Sequence, residues 1–312
     1  MDTFKPAFIV TLIYGLFSVV LYTLIVFIII RNKNKNLNSS FFTIFVIGYF
    51  INLTCFFNSY VTLRLPQNTC KDCKLSFLFS TGKESTFPLG IFYAISINMA
   101  FIQSSMTLLI SINRYTTFLM VLDKDKIWNH KIIPCVTLII ILWPLYVTYP
   151  VIFNPTYYMY YESITGYRTK TEAELTKMLE ILNIFMITVA VLSAIFNTLS
   201  WRGLRQMQNV IKKSEKALIY TTFIAFAIQV IAIVDTLIIQ KVSSTGPNAN
   251  ILSIAQFFQT YVSDLLTFNQ PYVIIFCSSV VRKELRELFL NRIDPILVVN
   301  TLKSQGNTAT LA

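Results

Sequence analysis

The sequence has 312 residues, of which 54% are hydrophobic and 13% charged, with 26 phenylalanines, eight glycines and a mean hydropathy of +0.60. A soluble core of this size cannot bury so much apolar surface, so the composition excludes an ordinary water-soluble domain and points to lipid. The net charge of +11 would suit either nucleic acid or an anionic membrane face, and the placement of the charges along the chain decides between them.

Seven runs are long enough to cross a hydrocarbon core of roughly 30 Å as helices: residues 7–30, 37–63, 87–113, 132–153, 181–201, 217–240 and 251–281. The first five carry no charge, and the last two carry one aspartate each, Asp235 and Asp264. The first run is too long for a signal-peptide core. Arg31, Lys33 and Lys35 follow it rather than a cleavage site, so it reads as a retained anchor. The predicted fold is therefore all-α: a seven-transmembrane helix bundle over residues 1–295, with short loops and no second domain. Beyond Val281, the stretch Arg282–Leu290 places Leu285, Leu288 and Phe289 at i, i+3 and i+4. That spacing predicts a short amphipathic C-terminal helix along the membrane surface, and residues 296–312 read as a disordered cytoplasmic tail.

Alternate connections differ in charge. Segments 31–36, 114–131, 202–216 and 282–312 hold 17 Lys and Arg residues, whereas 1–6, 64–86, 154–177 and 241–250 hold nine. Cytoplasmic loops carry the excess, which predicts an N-terminus outside and a C-terminus inside. The basicity is thus an orientation signal, and no nucleic-acid-binding motif accompanies it. Of two glycosylation sequons, Asn38-Ser39-Ser40 falls on the inner side and Asn52-Leu53-Thr54 inside a span, so neither is expected to be modified. In the fourth span Pro144 removes an in-span backbone hydrogen bond and predicts a kink. Segment 154–177 holds Tyr157, Tyr158, Tyr160, Tyr161 and Tyr167, which either roof a cavity or sit at the membrane interface.

Catalytic and metal chemistry lack their residues. The single histidine, His130, lies in an inner loop, so no cluster of imidazoles exists to bind a metal or to serve an intramembrane hydrolase. Gly82-Lys83 has Phe77 where a phosphate-binding loop needs its first glycine. Asp264 follows Tyr261-Val262-Ser263 rather than the Gly-x-Gly of intramembrane aspartyl proteases. No catalytic residue, metal or cofactor is expected. Cys55, Cys135 and Cys277 read as small buried hydrophobes. Cys70 and Cys73, with two residues between them in an outer segment, are either a local disulfide or two free thiols.

The third span ends in Asn113-Arg114-Tyr115, and the last contains Asn269-Gln270-Pro271-Tyr272. With the wording SMTLLISINRYTTF over Ser105–Phe118, these resemble the nematode serpentine chemoreceptors of class gamma, within the superfamily of seven-helix G-protein-coupled receptors. The resemblance implies a receptor that binds a small chemical ligand from outside and signals through a heterotrimeric G protein, in the plasma membrane of chemosensory neurons or their cilia. It makes Asn113, Arg114, Tyr115, Asn269, Pro271 and Tyr272 the signalling switch. Asn113 stands where such receptors have an acid, so Glu215, or else Asp123 or Asp125, is expected to partner Arg114 at rest. A lipid anchor is the plainer role for that arginine. The cysteine that ties the third helix to the second outer loop in that superfamily has no counterpart in 154–177. Ligand contacts are expected from Asp235, Asp264, Asn98, Gln103 and Ser104, which would equally serve as bonds between helices. A transporter or channel using Asp235 and Asp264 for ion or proton coupling is the alternative function.

Overall fold

The computed structural model describes residues 6–32, 39–80, 88–119, 128, 132–162, 165–206, 213–245 and 249–288; side chains at 6–7, 118–119, 213–218, 242–245 and 249–257 are not described. The chain forms α1 (Pro6–Arg31), α2 (Ser40–Ser59), α3 (Leu89–Leu119), α4 (Ile132–Phe153), α5 (Leu175–Gln206), α6 (Lys213–Thr245) and α7 (Ala249–Cys277). Between α4 and α5 stands a hairpin of β1 (Thr156–Tyr161) and β2 (Gly166–Thr171). Six helices are long and apolar enough to cross a membrane. The seventh, α7, bends by 90° into a further helix, α8 (Ser279–Leu288), where the amphipathic segment was predicted. Lipid offers backbone amides no partner, so such apolar runs form helices that satisfy every N–H and C=O internally. This is a multi-pass membrane protein.

The third helix organises the bundle. Of its 18-residue apolar stretch 72% is buried, against 22% in α4, and it touches α2, α4, α5 and α6. One of its faces, with Ile102, Met106 and Leu109, closes a core with Tyr22 and Ile25 of α1, Phe45 of α2 and Phe268 of α7. The other, with Ala94, Ile97 and Phe101, closes a second core with Val151 of α4, Met186 of α5 and Ile233 of α6. In α4 the helix continues through Pro144 and Pro150.

Two features depart from the predicted loops. The second span does not end at 63. The chain widens into a π-turn over Tyr60–Arg64 and resumes as Leu65–Asn68, so Arg64 belongs to the helix and not to a connection. Segment 154–177 contains the antiparallel hairpin, with Tyr158 opposite Thr169 and Met159 opposite Arg168. The two features answer each other. Carbonyls in the π-turn accept side-chain hydrogen bonds from one face of the hairpin: the Tyr158 hydroxyl donates to Val61 O and Thr169 Oγ1 to Thr62 O, each at 2.9 Å. Phe79 stacks on Tyr158 and Tyr167, 4.9 and 5.7 Å between centroids. The loop leading to Phe79 is closed by a Cys70–Cys73 disulfide with 5.2 Å between Cα atoms.

Gly166 makes this docking possible. A Cβ there would lie 2.4 Å from the Gln67 carbonyl oxygen, and backbone cannot yield as a flexible side chain can. Gly166→Ala is therefore expected to lift the hairpin from α2, seen as a lower thermal midpoint and faster proteolytic cleavage between β1 and β2. Burial also pushes the Tyr158 phenol up to about 12. A raised acid favours the protonated fold, so this stabilising contribution is complete below about pH 10, the ordinary phenol value, and is lost as pH climbs through 12. Tyr158→Phe should remove that alkaline component from the stability profile.

Candidate functional site

At the hairpin end of the bundle, the polar centre is an ion pair. Arg64, 2% exposed, donates from Nη2 to Oδ1 of Asp264, which is 6% exposed. The Arg64 Nε–H donates to Ser59 Oγ at 2.9 Å, and the guanidinium rests against the rings of Phe56 and Tyr60, 5.5 and 5.1 Å from their centroids. The second carboxylate oxygen of Asp264 accepts from the Tyr14 hydroxyl. One carboxylate thus joins α1, α2 and α7. A lone charge at this depth would cost several kcal/mol, and the pair with its hydrogen bonds offsets part of that penalty while Arg64 Nη1 stays without an acceptor.

Asp235 is 8% exposed on α6, and no hydrogen bond or ion pair links it to Asp264. The structure does not gather the two aspartates into one dyad. Asn98 accepts from Thr148 of α4 at 2.7 Å, and Ser104 is buried elsewhere on α3, six residues further along. Gln103 joins a different group: its Nε2 donates to Asn52 at 3.1 Å and to Thr267 at 3.3 Å. Nearby, the Tyr22 hydroxyl donates to Gln270 at 2.8 Å. Asn52, Gln103, Asn269 and Gln270 line a cavity of about 20 Å³, room for a water molecule but far short of the several hundred Å³ of a ligand pocket. The five residues expected to contact ligand therefore fall into separate polar groups. Among the described residues, no three His, Cys, Asp or Glu side chains converge on a metal position.

The opposite end holds the Asn113-Arg114-Tyr115 triplet. Asn113 is fully buried and donates to Ser40 of α2 at 2.7 Å. Arg114, only 3% exposed, places its guanidinium 4.1 Å from the ring centroid of Phe41, so it turns into the bundle rather than out to lipid. Tyr115 meets Phe196 of α5 at 5.5 Å. On α7, Pro271 lies within the helix, Asn269 donates back to Leu265 O at 2.7 Å, and the Tyr272 hydroxyl shares a 2.7 Å hydrogen bond with Ser18 of α1. Asp123 and Asp125 lie outside the described residues, as does the side chain of Glu215.

Arg64, Tyr14 and Ser59 were not singled out from the sequence. Arg64 abuts the end of a charge-free run, where it counts as a loop residue. The signal available was Asp264 itself, which at that depth demands a cation, with Arg64 at the margin of a neighbouring span.

Comparison with known proteins adds a separate line. The family model described as Srg family chemoreceptor matches residues 8–285. Serpentine receptor class gamma-31 of Caenorhabditis elegans is 30% identical over 285 residues, covering 89% of this chain and 90% of that protein.

The ion pair yields a prediction of its own. Asp264→Leu alone strands the Arg64 charge and should cost about 3–5 kcal/mol of stability, whereas Arg64→Met with Asp264→Leu should recover most of that loss. Thermal melts of the purified variants test this. A double variant as unstable as the single would mean that the two side chains do not compensate each other.

Proposed function

The chain belongs to the Srg family of chemoreceptors, and from that membership we propose that it binds a small chemical cue at the hairpin end, outside the cell, and signals at the Arg114 end through a heterotrimeric G protein. The charge bias of 17 against nine Lys and Arg residues supports this orientation, since it assigns the Arg114 end to the cytoplasm. The plasma membrane of chemosensory neurons, cilia included, is the location consistent with that role. Receptor membership makes a non-enzymatic protein the natural reading.

The observation that carries the signalling part is the burial of Arg114. A cation serving only as a membrane anchor extends its stem to the phosphates and stays hydrated. Arg114 instead stacks on Phe41 in the floor of the bundle, beside an Asn113 fixed to Ser40. A guanidinium held there keeps its charge and its planar fork of donors, which can exchange their resting contacts for acceptors of a partner protein when the helices part. Asn113 can hydrogen-bond but supplies no countercharge, so the resting restraint rests on ring stacking and on acids elsewhere, with Glu215, Asp123 and Asp125 as the candidates. Asp264, with both oxygens engaged by Arg64 and Tyr14, acts in this reading as a clamp rather than as a ligand for a cationic cue.

Arg114→Lys separates the switch from the anchor. Lysine keeps the charge and loses the bidentate fork. The expected outcome is normal surface expression with agonist-driven G-protein signalling reduced about tenfold or more, read with a cell reporter and a surface epitope. Unchanged signalling at equal surface level would return Arg114 to the anchor role. An N-terminal epitope should stain without permeabilisation, and staining only after permeabilisation would invert the topology.

A further inference from the structure

We propose that Arg168, seated on Tyr161 on the α3-facing side of the hairpin, is an anion-binding residue that receives the carboxylate, or an equivalent anionic head, of a small amphipathic cue. The proposal rests on the receptor reading and narrows its ligand class.

Side chains alternate along a strand, and cross-strand partners share a face. Tyr158 and Thr169 use one face to bond α2. The other face therefore carries Tyr157, Met159 and Tyr161 of β1 with Arg168 and Lys170 of β2. Tyr161 on this face lies beside Tyr93 of α3, which packs on the core formed by Phe101, Val151 and Met186. The Arg168 guanidinium sits 5.4 Å from the Tyr161 ring centroid, and its Nε–H is enclosed with no hydrogen-bond acceptor. Burial holds its pKa below the ordinary arginine value, so the cation is partly stripped of water without a compensating anion. Lys170 adds a second, exposed cation two residues along. No described acidic side chain pairs with either. Glu162 and Glu172, the exposed acids that flank the strands, make no ion pair among the described residues, and Glu174 is engaged by Lys177 at 2.6 Å.

A half-buried guanidinium with an unused donor selects a planar anion that can accept two parallel hydrogen bonds. Tyr161 fixes its plane, and the anchoring of the hairpin's other face fixes its position. The aromatic line from Tyr161 to Tyr93 then offers apolar surface to the body of the same molecule. The shared chemistry is a carboxylate or phosphate head on an apolar chain, whether it arrives as a soluble cue or as a lipid headgroup.

The test uses the full chain in discs of phosphatidylcholine, with hexanoate and methyl hexanoate as probes at neutral pH. Wild type should bind hexanoate at least about tenfold more tightly than the ester, the factor one charge-assisted hydrogen bond supports. Arg168→Gln should abolish the difference while leaving ester binding intact, which also shows that the variant is folded. Arg168→Lys should keep part of it. Equal binding of the two probes by wild type, no hexanoate binding, or an undiminished preference in Arg168→Gln overturns the proposal. Discs containing phosphatidylserine separate the sources: loss of Arg168-dependent hexanoate binding there assigns the residue to a lipid headgroup and overturns the soluble cue. A parallel cell reporter keeps the two readings apart. Responses to neutral volatiles without hexanoate preference sink the anion site alone, whereas Arg168-dependent binding with a silent reporter sinks the signalling reading alone.

Discussion

The Arg64–Asp264 pair sets conditions that the rest of the hairpin end meets. A guanidinium can reach α7 from α2 only if the second helix continues past the apolar run and places Arg64 on its inner face. The π-turn at Tyr60–Arg64 supplies that extra length and rotation, in keeping with the frequency of such turns at functional sites. Widening the turn leaves carbonyls in need of donors, and a buried carbonyl without one costs about 1–3 kcal/mol. Tyr158 and Thr169 provide them. The hairpin is therefore a consequence of burying a charge, and Gly166, Phe79 and the Cys70–Cys73 loop are in turn consequences of seating the hairpin.

The membrane fold was legible in the sequence because lipid imposes a single demand that composition reveals: a charge-free run about as long as the bilayer is thick. The two departures arose where that demand is met by tertiary partners. Arg64 looked like the first loop residue because a run ends at its first charge, and nothing local says that the partner of that charge is 200 residues away. The hairpin was hidden because its strands are bonded partly to α2, and Thr156–Tyr161 reads as an interfacial tyrosine cluster when taken alone. The candidate site was legible in residue type and not in grouping. Asp264 and Asn98 are buried and Gln103 half-buried, and each is bonded, but to Arg64, Thr148 and Asn52, three partners that periodicity cannot choose among.

One pattern was present in the sequence and is understood only through the structure. Tyr14, Ser18 and Tyr22 recur every four residues in an otherwise apolar helix, which places them on one face. Each bonds α7: Tyr14 to Asp264, Ser18 to Tyr272, Tyr22 to Gln270. The stripe joins α1 to α7 from the ion pair down to the Asn269–Tyr272 motif, so these two helices are held at three levels along their length. Hydrogen bonds between membrane helices are worth about 0.6 kcal/mol each on average; their effect here is to fix register as much as to add stability.

The other half of the bundle is satisfied differently. On α5 and α6, the Ser193 hydroxyl and both ends of the Asn197 and Gln229 amides lie buried with no hydrogen-bond partner among the described residues. Asn183 bonds Gln240, and Leu204 packs with Ile219. Those two pairs set an antiparallel register that brings Gln229 level with Ser193, and Asn197 lies one turn further along α5. Each unmet group costs about 1–3 kcal/mol, and the α1–α2–α7 side carries fewer of them, at Asn58 Oδ1 and Arg64 Nη1 among others. Water reaching Ser193, Asn197 and Gln229 would satisfy groups that this packing leaves without partners. Arg114 lies on the helix between the two halves, stacked on Phe41 of α2, with its neighbour Tyr115 against Phe196 of α5. A shift of α5 would therefore act on Tyr115 directly, while Phe41 and the Asn113–Ser40 hydrogen bond tie the adjoining residues to α2.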